Sequence, residues 1–412
     1  MIWIVAAVAT TGVIIRPFGL PEAIWAVAGA VLLLVLGLIS PRDALTGVGK
    51  GTDVYLFLVG MMLLAETARA AGLFDWLAAH ATRRAKGSAG RLFILIYGVG
   101  TVVTIFLSND ATAVVLTPAV AAAAKTARAT QPLPYLLICA FVANAASFVL
   151  PISNPANLVI YASRTPPLLQ WLPSYLPASL ASIVVTWLVL RWTQRKALTQ
   201  EIAADVAVPT LSGAGRTAAV AIAATAILLL AASAADIQLG LPTALAGAGA
   251  MAIVAIRDRK SPWPMVSEVS WSVLPLVAGL FVLVEALDKS GLIRTVGEFL
   301  RRAAGQSPIS ATWGAGVIVA LASNLMNNLP AGLIAGSAVH EAGAPDLVTR
   351  AVLIGVDLGP NLSVTGSLAT ILWLSALRRE GKTIGAGAFL KLGLLVMPPA
   401  LILAIAASLL FG

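Results

Sequence analysis

Residues 53–87, DVYLFLVGMMLLAETARAAGLFDWLAAHATRRAKG, resemble residues 271–305, WSVLPLVAGLFVLVEALDKSGLIRTVGEFLRRAAG. Glu66 and Glu285 each stand six residues before a Gly-Leu pair, and each copy continues as a basic amphipathic stretch. The segments downstream of each copy repeat as well. An apolar stretch (92–128, then 309–342) is interrupted by a Ser-Asn sequence, and a second apolar stretch (133–163, then 347–377) is interrupted by Pro and Asn. The interruptions read SND and PISNPAN in the first copy, SNLMNN and DLGPNLSVTG in the second. The chain is therefore two copies of one unit.

Composition fixes the medium of that unit. Of 412 residues, 59% are hydrophobic and 11% charged, against roughly a quarter charged in soluble domains. Apolar runs of the length a bilayer-spanning helix needs recur along the chain, without the alternation of a barrel strand. The spacing predicts spans near 1–15, 22–39, 54–72, 133–163, 168–192, 217–235, 241–256, 270–288, 347–377 and 385–410. The first run, MIWIVAAVATTGVII, has no basic residue ahead of it, the wrong polarity for a cleaved leader. It is read as a span. Polar residues halve the stretches 92–128 and 309–342, which predicts re-entrant hairpins whose tips line a cavity at mid-membrane depth.

The predicted fold is an all-α polytopic membrane protein of two inverted repeats. Residues 1–193 form the first, with hairpin 92–128 and broken helix 133–163. A cytoplasmic linker, 194–215, joins it to the second, 216–412, with hairpin 309–342 and broken helix 347–377. Five full spans per repeat is an odd number, which turns the second copy over relative to the first, as in secondary transporters. With both termini outside, 19 of the 27 lysines and arginines become cytoplasmic; Arg164 and Arg350 are among the external remainder. That bias favours this orientation in a cell (inner) membrane. The net charge of +9 belongs to these loops and is no nucleic-acid footprint.

All eight asparagines lie within 109–157 or 324–361, the two units of hairpin plus broken helix. Such amides can serve as interhelical hydrogen bonds of about 0.6–2 kcal/mol. Clustered beside Pro151, Pro155, Pro330 and Pro360, they point further, to a solute site of amides, hydroxyls and freed backbone carbonyls. The candidate solute-binding residues are Ser108, Asn109, Thr112, Ser153, Asn154, Asn157, Ser323, Asn324, Asn327, Asn328, Asn361, Ser363 and Thr365. Across 92–124, 144–163, 318–338 and 352–377 there is no Lys or Arg, and the only acids are Asp110 and Asp357. A carrier for a dicarboxylate or phosphate would use cations or helix N-termini. This pattern suits a neutral hydroxylated solute or a cation, with proton exchange at Asp110 and Asp357. Glu66 and Glu285 lie near span ends and are weaker candidates. With one cysteine, Cys139, no multi-thiolate metal site can form, and only His80 and His340 are available as imidazole ligands.

At these motifs the chain resembles the arsenite efflux permeases (ArsB type) of the ion transporter superfamily. The matching text is ND with LTP at 116–118, MNNLP at 326–330 and DLGPNLSVTGSLATILWL at 357–374. The resemblance implies hairpins entering from opposite faces. It also implies extrusion of trivalent arsenite or antimonite as neutral hydroxides in exchange for protons, the same candidate residues holding the arsenic or antimony hydroxide. It implies that a cytoplasmic arsenite-stimulated ATPase subunit can attach in some members, and no cofactor. Two departures stand out: Asn361 follows DLGP where the family often has Lys, and VANAASFV (142–149) lacks an acid often found there. The alternative in the same superfamily is a sodium- or proton-coupled carrier of another small solute. A membrane enzyme would need a nucleophile–base pair or metal motif, and neither HExxH nor GxSxG occurs.

Overall fold

The computed structural model describes residues 1–161 and 165–411. Arg164, the last two residues of the 133–163 segment and Gly412 lie outside the described residues. The first half runs α1 (Ile2–Ile15), α2 (Glu22–Val35), α3 (Pro41–Lys50), α4 (Thr52–Ala70), α5 (Leu73–Ala85), α6 (Ala89–Leu107), α7 (Asn109–Ala111), a π turn (Thr112–Leu116), α8 (Thr117–Thr126), α9 (Leu133–Ala145), α10 (Pro155–Tyr161) and α11 (Leu168–Thr193). The second half runs α12 (Gly213–Ala234), α13 (Gly240–Asp258), α14 (Trp263–Glu268), α15 (Val273–Lys289), α16 (Leu292–Gln306), α17 (Pro308–Met326), α18 (Asn328–Ala342), α19 (Asp346–Leu358), α20 (Leu368–Arg379) and α21 (Ala386–Phe411). The order is the same in both halves, with α7, the π turn and α8 together matching α18.

Six described helices are long and apolar enough to cross a membrane: α6, α11, α12, α13, α17 and α21. The chain is a multi-pass membrane protein. Two of these six, α6 and α17, are the first arms of the expected hairpins, and each has 19 residues. At 1.5 Å per residue that is about 28 Å, so these arms are longer than halved stretches would be. In α6 the start explains it: Ser88 accepts the N–H of Arg91 and begins the helix before the purely apolar run. In α17, which Ser307 caps through the N–H of Ser310, the end explains it, since the helix runs through Ser323 and Asn324 to Met326. The return arm of the first hairpin loosens into the π turn. Pro118 has no N–H to give the carbonyl of Val114, so the local bonding widens. Pro330 sits in the first turn of α18, where a missing N–H costs nothing.

Packing brings the halves together. α2 lies on α15 and α13 on α4, while α11 and α21 pack on each other. Small residues allow the closest crossings. A Cβ on Gly355 of α19 would strike the backbone oxygen of Gly316 in α17. α21 closes over the second broken helix through Phe389, which stacks on Phe141 with ring centroids 5.0 Å apart and leans on Trp373 at 5.7 Å. The linker between halves docks on the base of the first hairpin, where Ala203 donates to the carbonyl of Ala127 (2.8 Å) and Gln200 to that of Gln131 (2.9 Å).

Candidate functional site

The two hairpin tips turn in the same way. Ser108 (φ 85°, ψ 160°) and Asn327 (φ 73°, ψ 153°) hold the left-handed φ that lets a helix end and another begin at once. The next residue in each, Asn109 and Asn328, opens the return helix, and its side-chain Oδ1 is buried with no partner among the described residues. Thr112 and Thr104 join the arms of the first hairpin, hydroxyl to hydroxyl, at 2.8 Å. The tip of the second is tied to the broken helix behind it: the Asn328 N–H donates to the Gly366 carbonyl at 2.9 Å.

Asn324 therefore does not match Asn109, although both follow a serine. It lies in α17, a turn before the tip. Its Nδ2 donates to the carbonyls of Ala320 (2.8 Å) and Gly359 (2.9 Å), its Oδ1 accepts from Ser363 (2.6 Å), and its carbonyl accepts from Thr365 (3.2 Å). Ser363 and Thr365 thus fasten the break 359–366 to the hairpin. Gly366 makes the fit possible, since a Cβ there would lie 2.5 Å from the Pro360 Cα and 2.8 Å from the Asn324 Oδ1. In the first half Ser153 does the corresponding work, donating to the Ile105 carbonyl at 3.0 Å. Ser323 bonds only within its own helix, to the Val319 carbonyl at 2.9 Å, and takes no part.

The broken helices cross with a reciprocal pattern. Asn144 is the penultimate residue of α9 and Asp357 the penultimate residue of α19, helices of 13 residues each. Asn154 and Ser367 directly precede α10 and α20, capping them by accepting the N–H of Ala156 (3.0 Å) and Thr370 (3.1 Å). Each cap then reaches the other half. Asn154 Nδ2 donates to Asp357 Oδ1 at 2.7 Å, and Ser367 Oγ to Asn144 Oδ1 at 3.3 Å. Asn144 Nδ2 in turn donates to Asn361 Oδ1 at 3.0 Å, and Asn361 to the Phe141 carbonyl at 3.1 Å. Asn157 braces its own break by donating to the Ser147 carbonyl at 2.9 Å. Asp357 is fully buried, and its Oδ2 has no partner among the described residues. Asn144, Ser367 and Thr370 were missing from the candidate residues; their position relative to the helix ends is the signal that finds them.

Asp110 lies elsewhere. It is half-buried and, with Ser108, faces a cavity of about 60 Å³ between α4 and the first hairpin, whose wall also holds Glu66 and Glu268. Glu66 is clamped by Arg69 at 2.5 and 2.8 Å. The matched region of the second half, between α15 and the second hairpin, holds a cavity of about 370 Å³ lined by Glu285, Asp53, Leu333 and Ser337. There Glu285 is held across the halves by Lys50 at 2.6 Å. Asp110 and Asp357 thus occupy different surroundings: one on a cavity wall, the other at the crossing.

The model of the family described as Citrate transporter (CitMHS) matches residues 2–377. An arsenical pump membrane protein of Escherichia coli (strain K12) is 28% identical over 410 residues, covering 96% of this chain and 95% of that one. An arsenical pump membrane protein of Yersinia enterocolitica is 27% identical over 407 residues, with 95% and 94% covered. An uncharacterized transporter of Mycobacterium tuberculosis (strain ATCC 25618 / H37Rv) is 26% identical over 392 residues, with 92% and 91% covered. In fold the chain is similar to the YdaH transporter of Alcanivorax borkumensis (TM-score 0.58, 16% identity, 89% of this chain and 86% of that one) and to MtrF of Neisseria gonorrhoeae (TM-score 0.56, 14% identity, 93% and 85%). With a family match that runs through both halves, this chain belongs to the CitMHS family of membrane transporters.

Proposed function

We propose that the chain exports trivalent arsenic or antimony across the cell (inner) membrane as the neutral hydroxide, in exchange for protons and by alternating access. The observation that carries the reading is the crossing of the two broken helices. It is buried, rich in amides and hydroxyls, free of Lys and Arg, and contains one acid with an oxygen that has no partner among the described residues. A neutral triol needs donors and acceptors rather than countercharge. The names of the arsenical pump relatives support that substrate class. A citrate-like polyanion would be poorly served by this site, because nothing there balances its charge.

Four buried acceptors have no partner among the described residues, and these are the proposed ligands of the solute: Asn109 Oδ1, Asn328 Oδ1, Asn157 Oδ1 and Asp357 Oδ2. At Asp357 Oδ2, a proton and a solute hydroxyl compete for one atom. A proton arriving from outside thereby releases the solute, and its departure to the cytoplasm restores the acceptor. Asp110, on the wall of the cavity at the first hairpin, is the second proton carrier of the proposal. The reciprocal bonds Asn154–Asp357 and Ser367–Asn144 support an inverted relation of the halves, since each half then presents the same two positions to the other; the bias of Lys and Arg among the loops is what supports external termini.

The test is uptake of arsenite into everted membrane vesicles. Uptake that follows an inwardly acidic gradient and collapses with a protonophore is expected. Uptake driven only by sodium, or none at all in vesicles containing the folded protein, overturns the reading.

A further inference from the structure

At one face of the bundle, the ends of α10 and α18 and the starts of α11 and α19 surround a cavity of about 620 Å³. None of the crossing residues lines it. Arg350, the fifth residue of α19, does, and it is only 9% exposed. Its Nε and Nη1 are buried and have no hydrogen-bond partner among the described residues. It also belongs to none of the ion pairs among the described residues. Asp346, one turn earlier on the same helix, lines the cavity without pairing with it. A buried guanidinium left without an anion is costly, and the fold does not demand one here. The matched fifth position of α9 is Leu137, fully at home in the core.

A second carboxylate, Asp236, also lines the cavity and forms no ion pair with Arg350 among the described residues; the rest of the polar wall is neutral. Tyr161 and Tyr175 share a hydroxyl–hydroxyl bond of 2.7 Å, which uses one of their two protons and leaves the other free to donate. Gln170 and His340 add an amide and an imidazole. A guanidinium fork with two free N–H edges, flanked by one free hydroxyl proton and an amide, is the arrangement that grips a planar or tetrahedral oxyanion through two parallel bonds. The cavity opens among helix ends, where both dissolved anions and lipid headgroups reach.

We propose that this cavity is an oxyanion-binding site, separate from the transport site, in which Arg350 holds a phosphate-like group and Tyr161, Tyr175 and Gln170 complete its shell. The group is either a free anion or the headgroup phosphate of an anionic lipid. The reading is independent of what the protein transports.

The experiment measures thermal melting of the purified full-length protein. One arm titrates inorganic phosphate into detergent-solubilised protein, with sodium chloride matching ionic strength. The other compares nanodiscs of phosphatidylglycerol with nanodiscs of phosphatidylcholine. A saturable upward shift is expected in one arm: phosphate if the anion is free, phosphatidylglycerol if it is a headgroup. Arg350→Gln should weaken that response about tenfold or abolish it, the loss expected for a charged bidentate contact. Tyr161→Phe, which removes one hydroxyl from the wall, should weaken it less. If Arg350→Gln fails to fold, Tyr161→Phe decides: a weakened response supports the site and a parent-like response overturns it. No anion-specific shift in either arm, or an Arg350→Gln response equal to the parent's, also overturns it.

Discussion

Replacing Asp357 by Asn is the most direct probe of the crossing. The side chain keeps its shape, and its remaining oxygen can still accept the 2.7 Å bond from Asn154. A membrane interhelical hydrogen bond averages about 0.6 kcal/mol, so even a partial loss of this one should cost under about 1 kcal/mol. Asp357→Leu differs, because it leaves the buried Asn154 N–H without a partner at about 1–3 kcal/mol. The transport consequence is larger. One pH unit corresponds to about 1.4 kcal/mol per proton, or roughly tenfold accumulation of a neutral solute exchanged for one proton. The parent should approach that ratio in proteoliposomes with an acidic lumen. Asp357→Asn should fall to a ratio near unity while still equilibrating arsenite downhill, because the atom at which proton and solute compete is gone. Arsenite content and lumenal pH are followed together, with a melting curve on the same preparation. A folded Asp357→Asn protein that still accumulates arsenite tenfold under one pH unit refutes the assignment.

The same geometry sets four further outcomes. Combining Asp357→Asn with Asn144→Asp moves the acid to its matched position, where Ser367 already donates at 3.3 Å, and should return part of the accumulation in the same assay; no gain over Asp357→Asn alone counts against functional equivalence of the two positions. Gly366→Ala should lower the melting temperature, by about 1–3 kcal/mol of overpacking, since its Cβ has no room beside Pro360 and Asn324; an unchanged melt would show that the break relaxes freely. Asp110→Asn, on an open cavity wall, should leave the melt near the parent's and still reduce proton-coupled uptake; parent-like coupled uptake removes Asp110 from the proton path. Cys139→Ala should transport arsenite near the parent rate, because the proposed ligands are oxygen and nitrogen and this thiol is buried within α9; loss of transport by a folded variant would implicate the sulfur.

The architecture was legible because the bilayer imposes it. A helix must satisfy its own backbone and keep an apolar surface, so hydropathy alone marked the multi-pass class, and the two Glu–Gly-Leu signatures marked the repeat. The register within the hairpins was harder. Two Ser-Asn dipeptides, 108–109 and 323–324, invite alignment, yet the turn is fixed by which residue can take the left-handed φ. In the second copy that residue is Asn327. A signal was present in the sequence: Ser108 stands as far beyond Gly72 as Asn327 stands beyond Gly291. Asn144 was counted in the asparagine cluster but left out of the candidate residues, and only the matching ends of α9 and α19 reveal it as the counterpart of Asp357. Which groups bond to which across the crossing is a three-dimensional fact with no local sequence trace; the 2.7 Å contact of Asn154 with Asp357 spans 203 positions.

That counterpart changes how coupling is to be understood. With the halves inverted as proposed, a carrier built from two equivalent units could exchange its inward and outward forms by letting each half adopt the other's conformation. Identical halves would make the two forms equal in energy, and no ligand could favour one of them without interacting differently with each. Here the backbone equivalence is close at the caps and the tips, while the acids break it. Asp357 faces Asn144 as its match, and Asp110, second in the return helix of the first hairpin, is matched by Leu329. Each of these two acids therefore exists in one half only. Exchanging the conformations moves Asp357 and Asp110 between surroundings without placing an equivalent acid where each had been. Binding or losing a proton then shifts the balance between the forms, while the proton gradient sets the direction of net solute release.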